Sequence, residues 1–425
     1  METELALGTC KMEITPNFPV PLAGFASRFG MDPAASASRP LRARIFAFAS
    51  RDGGEERRSL LISADLIWWG SDRVPGLKRR IQERYGIDEA AILLHGTHTH
   101  SGPQTSGLFT SFLGEPDPVY LADLEERIVA GIGRAYDHLE PVRAERRIGR
   151  SALGINRRGL RKLPPVAGPA DHELNVISYV LRGGQSKAVL VHYACHPVIT
   201  NENRFSSEYV GVAMDAIEEQ LGQGLVAGFL QGTCGDINPG DGQSVIRGTD
   251  ERVVEIGRAF AEDVLRTLEQ PGSALTGCQL RWRSESISLP LAALPDKADL
   301  ESGLALPGVE GEWHRIQRSR WPSPEKAMPM EITLWRLAKE VSLLAMNAEV
   351  VVEYGLYIRR LSQGRILPVA YTNGMFGYVP TAEQLAEGGY ESVESTRYFA
   401  MPSVFDPAVE RVFKQALDRL IDEWP

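Results

Sequence analysis

Ala90-Ala91-Ile92-Leu93-Leu94-His95-Gly96-Thr97-His98-Thr99-His100-Ser101-Gly102-Pro103 is the stretch whose reading decides the fold. Its first five residues are unbroken apolar sequence, the pattern of a short buried strand. His95, His98 and His100 then take three of the chain's 8 histidines, and Ser101-Gly102-Pro103 turns the chain away. Histidine is the commonest metal ligand, and a strand end sends alternate side chains to one side. If extended geometry persists, His98 and His100 point the same way. A metal or acid/base site is the expectation.

Working outward, Ser59-Leu60-Leu61-Ile62-Ser63-Ala64-Asp65-Leu66 is a second buried strand. Ser71 to Tyr85 has helical periodicity, with Ser71 as its expected cap and Gly86 as its stop. Strand, helix and strand at this spacing predict a βαβ unit with parallel strands. Asp65 ends the earlier strand, where α/β folds place functional groups, although a capping role fits it equally. Arg44 to Ser50 and Val142 to Gly149 read as further strands, and Asp117 to Leu139 as an amphipathic helix. Asn156-Arg157-Arg158 lies in a Gly-flanked loop. Asn175 to Leu181 and Ala188 to Tyr193 form a hairpin through Gly183-Gly184.

The second hairpin strand runs into His192-Tyr193-Ala194-Cys195-His196-Pro197, where alternation puts His192 and His196 on one face. A helix capped by Ser207 follows, then a strand from Leu225 to Leu230 that feeds Gly232-Thr233-Cys234-Gly235-Asp236-Ile237-Asn238-Pro239. That Gly-rich loop reads as an ordinary turn, although such loops can offer N–H groups to an anion. Residues from about 290 to 345 read as a lid or helical insertion, with a helical run from Pro329. Ile366 to Tyr371 is a strand, and Pro407 to Trp424 a terminal helix with Asp406 before it. The fold class expected is α/β, a large mixed β-sheet flanked by helices, in a single catalytic domain over residues 1–425.

Composition narrows the function. The net charge of −9 disfavours nucleic acid and anionic membrane surfaces as partners. The 4 cysteines form no CxxC pair, which argues against a disulfide scaffold or a structural zinc finger. Met1-Glu2-Thr3-Glu4-Leu5 has neither the basic nor the apolar part of a secretory signal, so a cytoplasmic location is the expectation. No apolar run approaches the roughly 20 residues of a membrane span, so no stable membrane association is expected.

Taken together, several motifs resemble the neutral ceramidase family. His98 to Pro103 matches its His-Thr-His-Ser-Gly/Ala-Pro segment, and His196-Pro197 its second His-Pro strand end. Gly235 to Pro239 matches Gly-Asp-Val-Ser-Pro, and Glu349 is the kept residue of a Pro-Gly-Glu segment. Asn373 to Thr381, with Tyr390-Glu391 beyond, matches the late tyrosine motif. The resemblance runs in order from near Gly8 to near Ala400.

The resemblance implies a Zn²⁺ site with His98, His196, Glu349 and Tyr378 as ligands, a donor set that suits zinc and leaves room for water. It implies His100 as the proton-transfer group, Tyr390 as an oxyanion support and Arg157 lining the site. Asn238 stands where the ceramidases have serine, and Met375 replaces the first tyrosine of the late motif. An asparagine amide is a poor acyl acceptor but a good hydrogen-bond donor, so attack by zinc-activated water, assisted by His100, Tyr390 and Asn238, is expected. Arg157 would orient a polar or anionic group. Neither the family's signal peptide nor its C-terminal immunoglobulin-like domain is seen in the sequence, which points to a small soluble substrate rather than a bilayer lipid. The function implied is zinc-dependent hydrolysis of an amide (N-acyl) bond. Alternatives are hydrolysis of an ester or glycoside on the same scaffold, or a non-catalytic metal or ligand binder.

Overall fold

The computed structural model describes residues 4–52, 55–162, 164–222 and 224–424. Met1 to Thr3, part of the stretch read for a secretory signal, and Leu163 of the loop after Arg158 lie outside them. The chain is mixed α/β, as expected, with its large sheet flanked by helices. That sheet runs in the order Ile92–Gly96, Glu55–Ala64, Arg42–Asp52, Glu4–Glu13, Glu140–Arg150, Glu173–Leu181, Ser186–Tyr193 and Val226–Gln231, with Ser273–Ala274 on the flank of Glu140–Arg150. The Glu55–Ala64 and Ile92–Gly96 strands are parallel, Leu60 beside Ile92, with the helix Val74–Tyr85 between them: this is the βαβ unit. Gly86, in the left-handed region at φ 66°, stops that helix.

The sheet is folded at its middle. Glu4–Glu13 pairs with Glu140–Arg150 only through Ala6–Pro141 and Leu7–Glu140, so the two halves turn toward each other at this corner. A second sheet, in the order Arg281–Pro290, Ala327–Ala338, Val341–Met346 and Ile366–Val369, lies against the inner faces. Strand alternation explains the layering. Phe46 and Phe48 join Tyr179, Leu190, Trp335 and Leu343 in the shared interior, while their neighbours Ile45 and Ala47 face the helix Pro118–Asp137 through Ile128 and Ile132. Phe48 meets Trp335 edge-on, ring centroids 5.5 Å apart. Outer faces are covered by the helices Glu208–Leu221, Asp250–Leu268, Val352–Leu361 and Ala408–Asp422.

Several local expectations are corrected. The run from Pro329 is a strand, with Met328, Met330, Ile332 and Leu334 buried in alternation. Pro329 is tolerated there because at that point the strand pairs only with Arg281–Pro290; its other neighbour joins at Ile332, so the missing N–H breaks no ladder bond. Helix in the 290–345 stretch is confined to Lys297–Ser302 and Gly308–Arg320. Ser71 does not cap its helix: its hydroxyl donates to the Met375 carbonyl at 2.7 Å instead. Ser207 precedes its helix without a side-chain cap bond.

Three strand edges meet at one place. Ile92–Gly96 and Val226–Gln231 are the two ends of the folded sheet, and Ile366–Val369 is an edge of the second. Just past Ile366–Val369 the chain bonds the other two strands near their carboxyl ends: the Gly96 N–H donates to Tyr371 O at 3.1 Å, Asn373 N–H to Leu94 O at 2.8 Å, and Ala370 N–H to Gln231 O at 3.1 Å. Loops leaving carboxyl ends of strands carry function in α/β folds, and here they converge.

Candidate metal centre

His98 lies two residues beyond the end of its strand, in the left-handed region at φ 70°. For a residue with a Cβ that costs ~1–3 kcal/mol and is kept where surroundings fix it. Here Tyr371, itself at φ 54°, stacks on the imidazole with centroids 3.8 Å apart and planes 23° from parallel. His98 Nδ1 lies 2.9 Å from Ile67 O, and His196 Nδ1 lies 3.0 Å from Ile237 O. A carbonyl only accepts, so each Nδ1 carries the proton, and in the neutral ring each Nε2 is left as a bare lone pair.

Both lone pairs are aimed at one oxygen. His196 Nε2 lies 2.8 Å and His98 Nε2 3.2 Å from Glu349 Oε1. His100 Nε2 lies 3.2 Å from His98 Nε2, and the three histidines offer ligand atoms within 4.8 Å of one another. His98, His196 and Glu349 are buried. Burial pushes His196 down to about 4, against the pull of Glu349, and drives His100 well below the ordinary histidine range. Burial raises the Glu349 carboxyl, and what holds it well below the usual carboxylate range is positive charge and donated protons at His98 and His196, a role that a cation between them would fill when the rings are neutral. A carboxylate faced by imidazole lone pairs is repulsive unless a cation lies among them. The donor set therefore fits a metal ion, and the histidine group can hold one.

Tyr378 stands beside Glu349 because the strands Glu349–Val350 and Tyr378–Val379 pair in parallel with those two residues in register. Burial and the neighbouring Glu349 raise its phenol well above the ordinary tyrosine range. Arg157 Nη2 donates to the Tyr378 hydroxyl at 3.1 Å and to Gly235 O at 2.8 Å. Its Nη1 donates to Asn238 Oδ1 at 3.1 Å and its Nε to Glu391 Oε1 at 2.7 Å. Arg157 is thus a clamp on the site's own residues, with little left to grip a substrate, which revises the expectation from sequence. The Asn238 amide is fixed with its oxygen spent on Arg157, and its NH₂ end makes no hydrogen bond among the described residues. Tyr390, half-buried, packs edge-on to Tyr378 at 5.6 Å, and its hydroxyl makes no hydrogen bond among the described residues.

His100 is half-buried. Its ring abuts Phe25, centroids 5.0 Å apart, and its backbone carbonyl is gripped by Arg28. Gly24, at φ 99°, permits the approach: a Cβ there would come 2.6 Å from His100 Nδ1. Among the described residues His100 Nδ1 is buried with no hydrogen-bond partner, so exchangeable chemistry falls to Nε2.

The remaining sequence candidates are structural. His95 Nε2 accepts from Gln231 N–H at 3.0 Å and its Nδ1 meets Thr372 Oγ1 at 2.9 Å. The strand ends at Tyr193, and His192 turns away from His196 to bond Pro368 O at 2.8 Å. Asp65 accepts from Arg42 N–H, Arg44 and Thr97, bracing the histidine loop from below. The glycine loop spends the Gly232, Cys234 and Gly235 N–H groups on carbonyls and cradles no anion with them. Reading the sequence by residue chemistry missed Tyr371, the Ile67 and Ile237 carbonyls and the bracing role of Glu391. Only Tyr371 had a visible signal, as an aromatic at the end of an apolar strand.

No protein-family model matches the sequence. Over an alignment of 420 residues the chain is 26% identical to the neutral ceramidase of Pseudomonas aeruginosa, covering 81% of this chain and 62% of that protein. The chain therefore matches less than two thirds of that relative's length. The crystal structure of neutral ceramidase from Pseudomonas aeruginosa shares the fold with a TM-score of 0.79, at 21% identity over 100% of this chain and 76% of that one. A ceramidase complexed with C2 gives 0.78, at 20% identity over 99% and 75%. Taken with the motifs running from His98 to Glu391, these likenesses make the chain a homologue of neutral ceramidase.

Proposed function

We propose that the chain is a zinc-dependent amide hydrolase acting on an N-acyl compound. One observation carries the reading: His98 and His196, each with Nδ1 spent on a backbone carbonyl, aim their Nε2 lone pairs at the same oxygen of Glu349. Tyr378 completes the proposed ligand set. A zinc ion held there would supply Lewis acidity and a nucleophilic water at neutral pH.

The chain's residues do the rest. His100 takes the proton of the attacking water at Nε2 and returns it to the leaving nitrogen, which its unpartnered, enclosed Nδ1 cannot do. The free hydroxyl of Tyr390 and the NH₂ of Asn238 donate to the oxygen on which charge develops. Arg157 holds Asn238 in that orientation and keeps the Tyr378 oxygen on its donor. Asparagine in place of serine supports direct hydrolysis without an acyl-enzyme.

Two measurements test the reading. Elemental analysis of protein purified without added metal should give about one zinc per chain. A panel of soluble N-acyl compounds, esters, glycosides and ceramide dispersions should show the highest kcat/KM for an N-acyl compound. Preference for an ester or glycoside would move the reaction class, and preference for ceramide would return the substrate to lipid.

A further inference from the structure

A cavity of about 540 Å³, within the size range of small-molecule sites, lies next to the aromatic side chains around the metal centre. Its interior is apolar, lined by Phe109, Met328, Met375, Phe376 and Phe399. It shares a wall with the metal centre. Phe399 packs against Tyr378 with centroids 5.9 Å apart and against Trp68 at 5.7 Å; Phe109 closes the trio at 5.1 and 5.2 Å, and Trp68 leans on His98 at 6.1 Å. Asn347 lines the cavity two residues before Glu349, and Met375-Phe376 do so shortly before Tyr378.

The mouth is polar and carries charge. Arg320 sits there with one hydrogen bond, from Nη1 to Ala400 O at 2.8 Å, and no ion pair among the described residues. Asn347 spends its Oδ1 on Glu331 N–H, and its NH₂ makes no hydrogen bond among the described residues. Glu325 also lines the mouth, beyond ion-pair distance from Arg320. Two open donor groups, one cationic, stand over an apolar interior. An anionic head with an apolar tail matches that order of groups.

We propose that this cavity is a second ligand site, separate from the metal centre, which takes a carboxylate with an unbranched apolar tail, its head on Arg320 and Asn347 and its tail against Met328, Met375 and Phe399. The proposal goes beyond the hydrolase reading and stands without it. Decanoate is the probe, titrated calorimetrically into metal-loaded and chelator-stripped protein. Saturable binding of one decanoate per chain is expected in both states. Arg320→Met should weaken it by about tenfold or more, and Glu325→Gln, which removes a like charge from the mouth, should tighten it. Leu108→Trp, at an exposed lining position, should narrow the cavity and weaken binding. Decanol and decyltrimethylammonium should bind about tenfold more weakly than decanoate or worse. Loss of all binding on metal removal would place the carboxylate on the metal centre and overturn the proposal. So would unchanged affinity in Arg320→Met, or weaker binding in Glu325→Gln. Should Arg320→Met fail to fold, the opposite signs expected for Glu325→Gln and Leu108→Trp still decide the matter.

Discussion

Two strand ends in this molecule carry histidines of two kinds, and each end has both. His95 and His192 lie within their strands and bond backbone of other strands: His95 takes the Gln231 N–H at the far end of its own folded sheet, and His192 the Pro368 O of the second sheet. His98 and His196 lie beyond the strand ends, are pinned by Ile67 O and Ile237 O, and enter the site. The same side chain is a strut inside the ladder and a ligand outside it. What separates them is which nitrogen is left uncommitted: in His98 and His196 it is Nε2, aimed at a buried carboxylate.

Breaking that distinction should give the largest effect. His98→Ala and His196→Ala should each bring bound metal from about one per chain to near zero, read by elemental analysis. His95→Ala should keep its metal and lose about 1–3 kcal/mol of stability for the stranded Gln231 N–H, read by denaturant unfolding. Metal loss in His95→Ala would erase the contrast. His100 sharpens it next: His100→Ala should keep metal and lose on the order of 10²-fold or more in kcat. If metal is lost there, His100 belongs with the ligands.

Asn238→Ala should lower kcat by roughly 10- to 10³-fold without abolishing activity, because only a donor to the oxyanion is removed. A covalent acyl adduct on Asn238, found by mass spectrometry of trapped enzyme, would contradict direct hydrolysis.

The smallest expected effect concerns pH. Burial pushes His95 down to about 3 and His196 to about 4, so the unfolded chain holds protons there that the folded protein does not, and their share of stability grows as pH rises toward about 6.5 and is flat above it. Glu353 has the opposite sign. Burial first, then the nearby Asp236, push its carboxyl up from 4.5 to about 8. Gln384 Nε2 bridges the two acids at 3.1 Å to each. Between those values the folded protein keeps a proton that the unfolded chain releases, so this group's contribution to stability falls as pH rises from about 4.5 to 8 and then levels. Glu353→Gln should reduce that fall by about 1–2 kcal/mol after allowance for partial exposure, measured by chemical unfolding at pH 5 and pH 8. An unchanged slope would remove Glu353 from the account.

Much of this could be read from the chain. Continuous apolar runs located several strands, among them Glu55–Ala64, Ile92–Gly96 and Val226–Gln231, and the βαβ unit around Val74–Tyr85 followed from their spacing. The proposed ligand positions came from short motifs in order, not from periodicity. The rest depends on distant pairing. Nothing local to Glu4–Glu13 records that its pairing with Glu140–Arg150 stops after two residues and folds the sheet. Pro329 reads as a helix start because its tolerance in a strand is decided by where a third strand begins to pair. The carbonyls that fix the histidine tautomers belong to Ile67 and Ile237, whose side chains give no sign of that work.

The meeting of three strand edges also bears on self-association. An open edge offers unpaired N–H and C=O groups to any passing strand, and proteins blunt such edges by covering or charging them. Here Leu94 O, Gly96 N–H and Gln231 O, at the edges of Ile92–Gly96 and Val226–Gln231, are spent on Asn373, Tyr371 and Ala370 just past Ile366–Val369, and the His98 and Tyr371 rings stack where the edges join. Whatever loosens that stack unlocks backbone as well as chemistry, so damage at this centre should surface as clumping of the protein along with loss of turnover.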